Sequence, residues 1–317
     1  MSRYPSLKKV QTFPKPANCP LWLDSFFLNE YKYLKSGGFK HIFSNGASAI
    51  SVEIVVRPNR NRQEVYEILK KVPRPFSDHI IVPTKEFECE FTFENETMRV
   101  LFSLMSLCPY GDLFSKFTGD KYDITERQML DLGMTLKYLH SIGVFISDLK
   151  AENIMHCTCD CLAFIDLDTC LPSSAFTYKN YTLNGEPVTI RTLTRRATLT
   201  RRAVVTYWWN PMFLMIRNKN TILSDHCRFN DWFAFAICYM CHCAKTKSMS
   251  AKWEAQLVKQ WGKGYDQLGD WSLMNLENEK LKQAMLLYNK GDLYYNQGIK
   301  YAFGVYKKFV ATIETVV

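Results

Sequence analysis

Residues 146–153 read ISDLKAEN, and residues 164–168, at the end of a short apolar strand, read FIDLD. Asp148 and Asn153 therefore lie shortly before an acidic turn that begins at Asp166. Asp and Asn are also common turn residues, because their short side chains bond to nearby backbone groups. A role in turns does not explain the sequence on either side of these stretches, and that sequence indicates the fold.

The flanking sequence extends the pattern in both directions. The informative segments are LMSLCPYGDLF at 104–114, LKYLHSIG at 136–143, NPM at 210–212 and Asp231-Trp232. In that order they resemble the hinge, the helix end before the catalytic loop, the Ala-Pro-Glu motif and the Asp-Trp pair of eukaryotic-type protein kinases. The resemblance runs from about residue 30 to residue 245 and implies an α+β protein with a two-lobed kinase-like fold. In that family the Asp of the Asp-Trp pair, here Asp231, ties down the catalytic-loop backbone.

We assign residues 28–104 to the small β-rich lobe and residues 105–317 to the larger helical lobe. The predicted strands cover 31–56 in three runs, 85–93, 98–105, 144–146, 153–156 and 162–166, and the first predicted helix covers 61–71. Thr125 and Gln128 form a candidate capping box for a long helix that stops near Gly143. Four prolines in residues 1–27 predict an extended N-terminal extension that packs on the outside.

The resemblance implies a role for each polar residue of the central stretch. Asp148 is the expected catalytic base, which orients the attacking hydroxyl, and Lys150 offsets charge on the transferred group. Asn153 and Asp166 are the expected ligands of Mg²⁺. The implied reaction transfers the γ-phosphoryl group of ATP to Ser/Thr hydroxyls of a protein substrate, and it depends on positioning and charge more than on covalent help.

The nucleotide loop departs most from the family pattern. Residues 34–42 read LKSGGFKHI, so Gly37 and Gly38 are present while lysines replace the first and third glycines of the motif. Glu53 stands where the family has its phosphate-binding lysine, which taken alone is a pseudokinase signature. Lys40, however, resembles the loop lysine of the with-no-lysine kinases, which reaches the same pocket. The alternative for Lys40 is a solvent-facing side chain on an edge hairpin.

The other nucleotide-binding residues follow from the same resemblance. Glu64 and Glu67 straddle the register of the helix residue that pairs with the lysine, and Glu64 is preferred. Met105 is the expected gatekeeper, and the backbone from Ser106 to Cys108 is expected to contact adenine. The cofactors that the resemblance implies are therefore ATP and Mg²⁺.

Two departures keep other functions open. The usual His-Arg before the catalytic Asp is Ile146-Ser147, which removes the partner of an activation-loop phosphate. The metal motif reads Asp-Leu-Asp instead of Asp-Phe-Gly, and small-molecule and lipopolysaccharide-type kinases tolerate such a second Asp, here Asp168. The alternatives are a pseudokinase acting as a binding or scaffold protein, and a kinase of small molecules or glycolipids.

Positive charge is concentrated in the predicted activation segment, residues 166–212. Of the chain's net charge of +9, residues 171–205 contribute +5, from six basic residues and one acidic residue. Two copies of LTRRA, at 193–197 and 199–203, lie in this stretch, which we predict to be a long polar loop. It is either a solvated loop or a docking or regulatory surface for an acidic partner, while contact with nucleic acid has no further support.

Composition bears on the compartment. With 47% hydrophobic and 22% charged residues over 317 positions, the chain has enough apolar material to form a core. The longest apolar stretch, Trp232 to Cys241, is about half a membrane span, and the N-terminus has no apolar signal core. We expect an intracellular protein, cytoplasmic or nuclear, without membrane contact. Compact, divergent motifs of this kind would suit a large DNA virus and hence its host cell.

Overall fold

The computed structural model describes most of the chain up to residue 193 and a few positions beyond it. The described residues are 7–36, 40–55, 60–93, 96–157, 160–183 and 186–193, together with 227, 231, 234, 235, 238, 239, 241, 242, 245, 246, 269, 270, 294 and 295. The protein is mixed α+β, with a five-stranded antiparallel sheet in its N-terminal part. Within the described ranges, no helix is both long and apolar enough to cross a bilayer.

The chain divides into two compact units. The first contains residues 1–59, 81–110 and 157–160, and the second contains residues 60–80, 111–156 and 161–317. The division after Tyr110 falls inside the segment that resembles a hinge. Residues 60–80, which the sequence assigns to the small lobe, belong to the second unit.

Residues 7–27 of the first unit contain three short helical segments and are partly buried, so the prediction of an extended N-terminal extension is wrong there. They form 3-10 helices at Leu7–Thr12 and Leu21–Leu23 and the short helix α1 at Asp24–Phe27. Val10, Leu23 and Phe26 are completely buried in the core of this unit. Pro20 is the N-cap of the second 3-10 helix, a position where a missing N–H breaks no helical bond. Burial of apolar side chains thus decides the conformation of this segment.

Five antiparallel strands form the sheet of the first unit. They are β1 (Lys32–Ser36), β2 (Lys40–Ser44), β3 (Ser48–Ile54), β4 (Lys85–Phe93) and β5 (Glu96–Ser106), in the spatial order β1-β2-β3-β5-β4. The strands predicted in this region are confirmed. Ile50, Val52 and Phe102 have no exposed surface and pack in the same core as Phe26. Side chains alternate along a strand, so the neighbours of these residues along β3 and β5, such as Ser51 and Ser103, lie on the opposite face of the sheet.

Helices α2 (Arg60–Leu69), α3 (Leu113–Thr118) and α4 (Glu126–Ser141) lie in the second unit. The predicted capping box of α4 is confirmed, since Gln128 N donates to Thr125 Oγ1 and the Gln128 side chain accepts from Thr125 N. The helix ends before Gly143, whose φ of +77° is the left-handed conformation common at helix ends. The buried face of α4 includes Met129, Leu132, Leu136 and Leu139.

Short strands and 3-10 turns follow α4. The strands are β6 (Val144–Phe145), β7 (Ile154–His156), β8 (Leu162–Phe164), β9 (Leu171–Pro172), β10 (Phe176–Leu183), β11 (Glu186–Leu193), β12 (Gly269–Asp270) and β13 (Tyr294–Tyr295); the 3-10 turns are Ala151–Asn153, Leu167–Thr169 and Ser173–Ala175. The antiparallel pairs are β6 with β9, β7 with β8, β10 with β11, and β12 with β13. The short strands predicted before residue 167 are confirmed.

Residues 176–183 and 186–193 form a pair of antiparallel strands where the sequence predicts a long loop. β10 and β11 pair in an unbroken antiparallel register from Phe176 opposite Leu193 to Leu183 opposite Glu186. The missed signal is Asn184-Gly185 between two segments of strand-like composition, since Asn-Gly is a preferred two-residue hairpin turn. Apart from Leu193, the two LTRRA copies lie outside the described residues.

Candidate functional site

A fully buried carboxylate, Asp231, holds the backbone at the start of the ISDLKAEN stretch. Its Oδ2 atom accepts from Ile146 N at 2.8 Å, and its Oδ1 atom accepts from Ser147 N at 2.9 Å. The buried His140 Nε2 lies 2.9 Å from Oδ2. A buried charge is tolerated when it is hydrogen-bonded in this way. The expectation that Asp231 ties down this backbone is confirmed, whereas the contact from His140 was not foreseen.

The backbone held by Asp231 is strained. Ser147 has a φ of +68°, in the left-handed region that costs a residue with a side chain about 1 kcal/mol or more. Asp166, at the start of the acidic turn, has a φ of +56° and a ψ of +46°. Such conformations persist only where the surroundings determine them, and they cluster at functional sites. Two strained residues therefore lie in the two stretches singled out from the sequence.

Asp148 and Lys150 form an ion pair. Lys150 Nζ donates to Asp148 Oδ2 at 2.9 Å, and both side chains are largely buried. Lys150 has an extended backbone, with φ of −162° and ψ of 162°, so the side chain two residues from Asp148 can lie on the same side of the chain. The pair brings a carboxylate, able to accept a proton from a hydroxyl, next to a fixed positive charge.

Asn153 is buried, and its amide nitrogen is used by the loop itself. Asn153 Nδ2 donates to the carbonyl of Asp148 at 3.0 Å, and Asn153 O accepts from Ile165 N at 2.9 Å. Because the nitrogen faces a carbonyl, the amide oxygen Oδ1 is the atom left to act as an acceptor. Next to this hydrogen bond, Ile154 of β7 pairs with Phe164 of β8. The pairing of the two strands brings Asn153 beside the turn at Asp166.

The three residues of the acidic turn have different environments. Asp166 is exposed, and the next residue, Leu167, is buried. The side chain of Asp168 is only 13% exposed, and its Oδ1 atom lies 3.1 Å from Arg62 Nε of helix α2. The hydroxyl of Tyr66, also on α2, donates to the same oxygen. Of the two carboxylates, Asp166 is therefore the more exposed, and Asp168 is contacted by α2.

The carboxylates of this region affect the pKa of the buried Cys170 thiol. Burial raises the pKa of the Cys170 thiol well above its usual range, and the charges of Asp231, Asp166 and Asp148 raise it further. The thiol therefore stays protonated and acts as a small apolar group near these carboxylates. A cation would be attracted to the same surroundings.

The donor atoms of Asn153 and Asp166 suit Mg²⁺. In the described part of the chain, no three or more His, Cys, Asp and Glu side chains form a group able to hold a metal ion. Mg²⁺ commonly takes one or two carboxylates from the protein and completes its shell with water and phosphate oxygens. One exposed carboxylate and one oriented amide oxygen fit that pattern.

In the first unit, Lys40 and Glu53 stand directly opposite each other on β2 and β3. Lys40 Nζ lies 4.0 Å from Glu53 Oε2, and the two side chains are 20% and 17% exposed. Opposed residues of an antiparallel pair project from the same face of the sheet. The ammonium of Lys40 therefore lies beside the carboxylate of Glu53. We call this surface, which carries Lys40, Glu53 and the buried Ser51, the Lys40 face.

The predicted adenine-contacting residues lie at the end of β5. Met105 pairs with Ala49 across the sheet and projects from the Lys40 face, two residues after the buried Ser103. Ser106 is the last residue of β5 and is exposed, whereas Cys108 is buried in the segment that leads to the second unit. Gly37 and Gly38 lie outside the described residues.

Helix α2 contributes to the acidic turn through residues that the sequence reasoning missed. Glu64, the predicted partner of the lysine, is exposed and accepts a hydrogen bond from Ser174 Oγ. Arg62 and Tyr66 reach Asp168 instead. The available signal was the position of Arg62, three residues before the buried Val65, which puts a charged residue on the apolar face of the helix.

No protein-family model matches this chain.

Proposed function

We propose that this protein is a divergent protein kinase with a two-lobed kinase-like fold, which transfers the γ-phosphoryl group of ATP to Ser/Thr hydroxyls of a protein substrate. The observation that carries the proposal is the buried clamp of Asp231 on Ile146 and Ser147. It fixes the backbone immediately before Asp148, where the resemblance expects the catalytic base. A chance run of turn-forming residues would not require a distant buried carboxylate to hold it.

Each polar residue near this clamp has a role in the proposed reaction. Asp148 orients the attacking hydroxyl and accepts its proton, while Lys150, 2.9 Å away, offsets negative charge on the transferred group. Asn153 Oδ1 and the Asp166 carboxylate hold the cation. Mg²⁺, when bound, neutralises the phosphate oxygens. The hydrogen bond from Asn153 Nδ2 to the Asp148 carbonyl fixes the position of Asn153, the amide ligand, relative to Asp148, the base.

On the Lys40 face, Lys40 supplies the positive charge for the ATP phosphates. The usual strand lysine is replaced by Glu53, and a lone carboxylate would repel a triphosphate. Lys40 lies 4.0 Å from that carboxylate and offsets its charge. Met105, Ser106 and Cys108 line the predicted adenine side, and Gly37 and Gly38 are assigned to the loop over the phosphates.

The same ion pair favours a second candidate, a pseudokinase that works by binding. If Lys40 remains paired with Glu53, little positive charge is available for a nucleotide, and the chain would serve as a scaffold. The basic stretch around the LTRRA copies is, in either case, our proposed docking surface for an acidic partner. The Asp-Leu-Asp turn suits a kinase of small molecules or glycolipids, which differs from the main proposal only in its acceptor.

The deciding experiment measures melting curves of the purified protein with and without Mg·ATP, beside radiolabel transfer to itself and to a mixed protein substrate. We expect a Mg²⁺-dependent rise in melting temperature and incorporation of label, both lost in Asp166→Asn. The matched control is Asp120→Asn, an exposed carboxylate between α3 and α4, which should behave as wild type. Wild-type protein with neither a shift nor transfer would overturn the enzyme proposal in favour of the binding protein.

A further inference from the structure

The acidic turn is attached to helix α2 through its second carboxylate. Asp168 Oδ1 lies 3.1 Å from Arg62 Nε and accepts a hydrogen bond from Tyr66. Arg62 and Tyr66 are one helical turn apart, and the Arg62 guanidinium carbon lies 5.3 Å from the centre of the Tyr66 ring. The two side chains thus form a unit with a positive charge, a hydroxyl donor and an aromatic support.

This contact is well buried. Arg62 is 9% exposed and Tyr66 is 5% exposed. A buried cation is strongly unfavourable without a partner, and so is the buried carboxylate that faces it. Separating helix α2 from the turn would therefore break an ion pair and a hydrogen bond that are largely shielded from water. The contact joins residues more than a hundred positions apart in the chain.

We propose that Arg62 and Tyr66 are positioning residues, which act through Asp168 to hold Asp166 in its cation-binding conformation. This inference rests on the proposed function and specifies how its metal-binding turn is kept in place. The family usually links this helix to the site through a Glu that pairs with the strand lysine. In this protein the helix supplies the positive charge, from Arg62, and its partner is the Asp168 carboxylate of the acidic turn and not a residue of a strand.

The geometry of the turn explains why an anchor is needed. Asp166 has a left-handed conformation, which a residue with a side chain leaves readily unless its neighbours prevent it. Leu167 is buried and Asp168 is held by α2, so both residues that follow Asp166 are fixed. Without the contact at Asp168, we expect Asp166 to relax toward ordinary backbone angles, which moves its carboxylate away from Asn153.

The test uses the full-length protein with Arg62→Met, Arg62→Lys and Tyr66→Phe. The measured quantity is the Mg²⁺ concentration that gives half of the ATP-induced melting shift. We expect Arg62→Met to raise it about 10-fold to 100-fold, the range for residues that orient a metal ligand. Arg62→Lys should have a smaller effect because it keeps the charge, and Tyr66→Phe should fall between wild type and Arg62→Met. The matched control is Arg127→Met, which breaks the exposed pair with Asp131 on α4 and should leave the Mg²⁺ requirement unchanged.

A second measurement does not depend on nucleotide or metal. Amide hydrogen exchange over residues 163–172 of the free protein should become faster in Arg62→Met and stay as in wild type in Arg127→Met. Unchanged exchange in Arg62→Met would overturn the inference. If wild-type protein shows no Mg·ATP shift, the proposed function fails, and hydrogen exchange still decides whether α2 holds the turn.

The double variant Arg62→Met/Asp168→Asn separates positioning from general stability. The second substitution removes the negative charge that faced Arg62, so the melting temperature of the double variant should recover relative to Arg62→Met. Its Mg²⁺ requirement should stay raised, because the charged anchor of the turn is still missing. A Mg²⁺ requirement that recovers together with the melting temperature would mean that Arg62 contributes only to stability, and the inference would be wrong.

Discussion

The loop held by Asp231 in the second unit and the Lys40 face of the first unit handle buried charge in different ways. Asp231 accepts two backbone hydrogen bonds and a contact from His140, so its charge fixes a backbone conformation. Lys40 and Glu53 are two side chains at 4.0 Å that offset each other. A buried carboxylate that is hydrogen-bonded to backbone N–H groups is committed to those bonds, whereas in an ion pair of side chains one partner can be exchanged for a charged ligand.

The comparison also separates the matching from the divergent parts of the sequence. The loop near Asp231 resembles the kinase pattern at Asp148, Lys150 and Asn153 and departs from it only before Asp148, and its backbone bonds are made within the second unit. The Lys40 face departs from that pattern at the strand lysine and in the glycine loop. The proposed chemistry therefore depends on positions that match, while nucleotide binding depends on a substitution compensated by a neighbour.

The largest effect is expected at Asp148. Asp148→Asn keeps the size of the side chain but removes the carboxylate that accepts the proton, so turnover should fall by about 10²-fold to 10⁴-fold. Radiolabel transfer on each substrate accepted by wild type is the measurement, with melting curves to establish that the variant is folded. Full activity in this variant would show that the matching loop is not the catalytic one.

The next prediction concerns the Lys40 face and its proposed role in binding Mg·ATP. Lys40→Met removes the proposed phosphate anchor, and the loss of a charged hydrogen bond, worth about 1.5–3 kcal/mol, should weaken Mg·ATP binding roughly 10-fold to 100-fold. Glu53→Gln should be tolerated, since it removes the competing carboxylate.

Lys35→Met is the matched control for Lys40→Met, because Lys35 belongs to β1 at the other end of the loop. Its effect on the melting shift with Mg·ATP should be smaller. Equal loss in both lysine variants would mean that the loop acts through its overall charge. Transfer that survives in Lys40→Met would assign the anchor to another lysine.

Asp231→Asn examines the clamp itself. The amide keeps one acceptor oxygen and loses the other, so one buried N–H of Ile146 or Ser147 loses its partner. The expected loss of stability is about 1–3 kcal/mol, measured by urea unfolding and accompanied by reduced transfer. Stability equal to wild type would show that these bonds contribute little to the loop, and the contrast with the Lys40 face would then disappear.

The smallest effect is expected in the basic stretch. Replacing Arg195, Arg196, Arg201 and Arg202 with Gln should weaken capture of an acidic peptide and flatten its salt dependence, because contacts between charges in water are screened by salt and contribute about 1 kcal/mol or less each. Nucleotide binding should be unchanged. An equal loss of nucleotide affinity would mean that these charges act at the ATP site and do not form a separate docking surface.

Local sequence features predicted much of the secondary structure. The strands of the sheet, helix α2 and the capping box of Thr125 and Gln128 follow from patterns within a few residues, and the structure has them. The buried N-terminal segment and the pairing of β10 with β11 were missed. The first was obscured by its prolines, although its apolar residues pack in the core. The hairpin signal, Asn184-Gly185, was present but outweighed by the polar composition of the segment.

By itself, the sequence determined which chemical groups the candidate site contains, because the resemblance of residues 146–153 and 164–168 to kinase motifs singles out Asp148, Asn153 and Asp166 without any coordinates. Tertiary structure alone decided which buried partners hold them. The pairing of Arg62 with Asp168 joins an apolar-faced helix to a turn far along the chain, and the left-handed backbone of Asp166 depends on what packs around it. Periodicity and capping act over one or two turns of chain, whereas a buried charge finds its partner only when the core has formed.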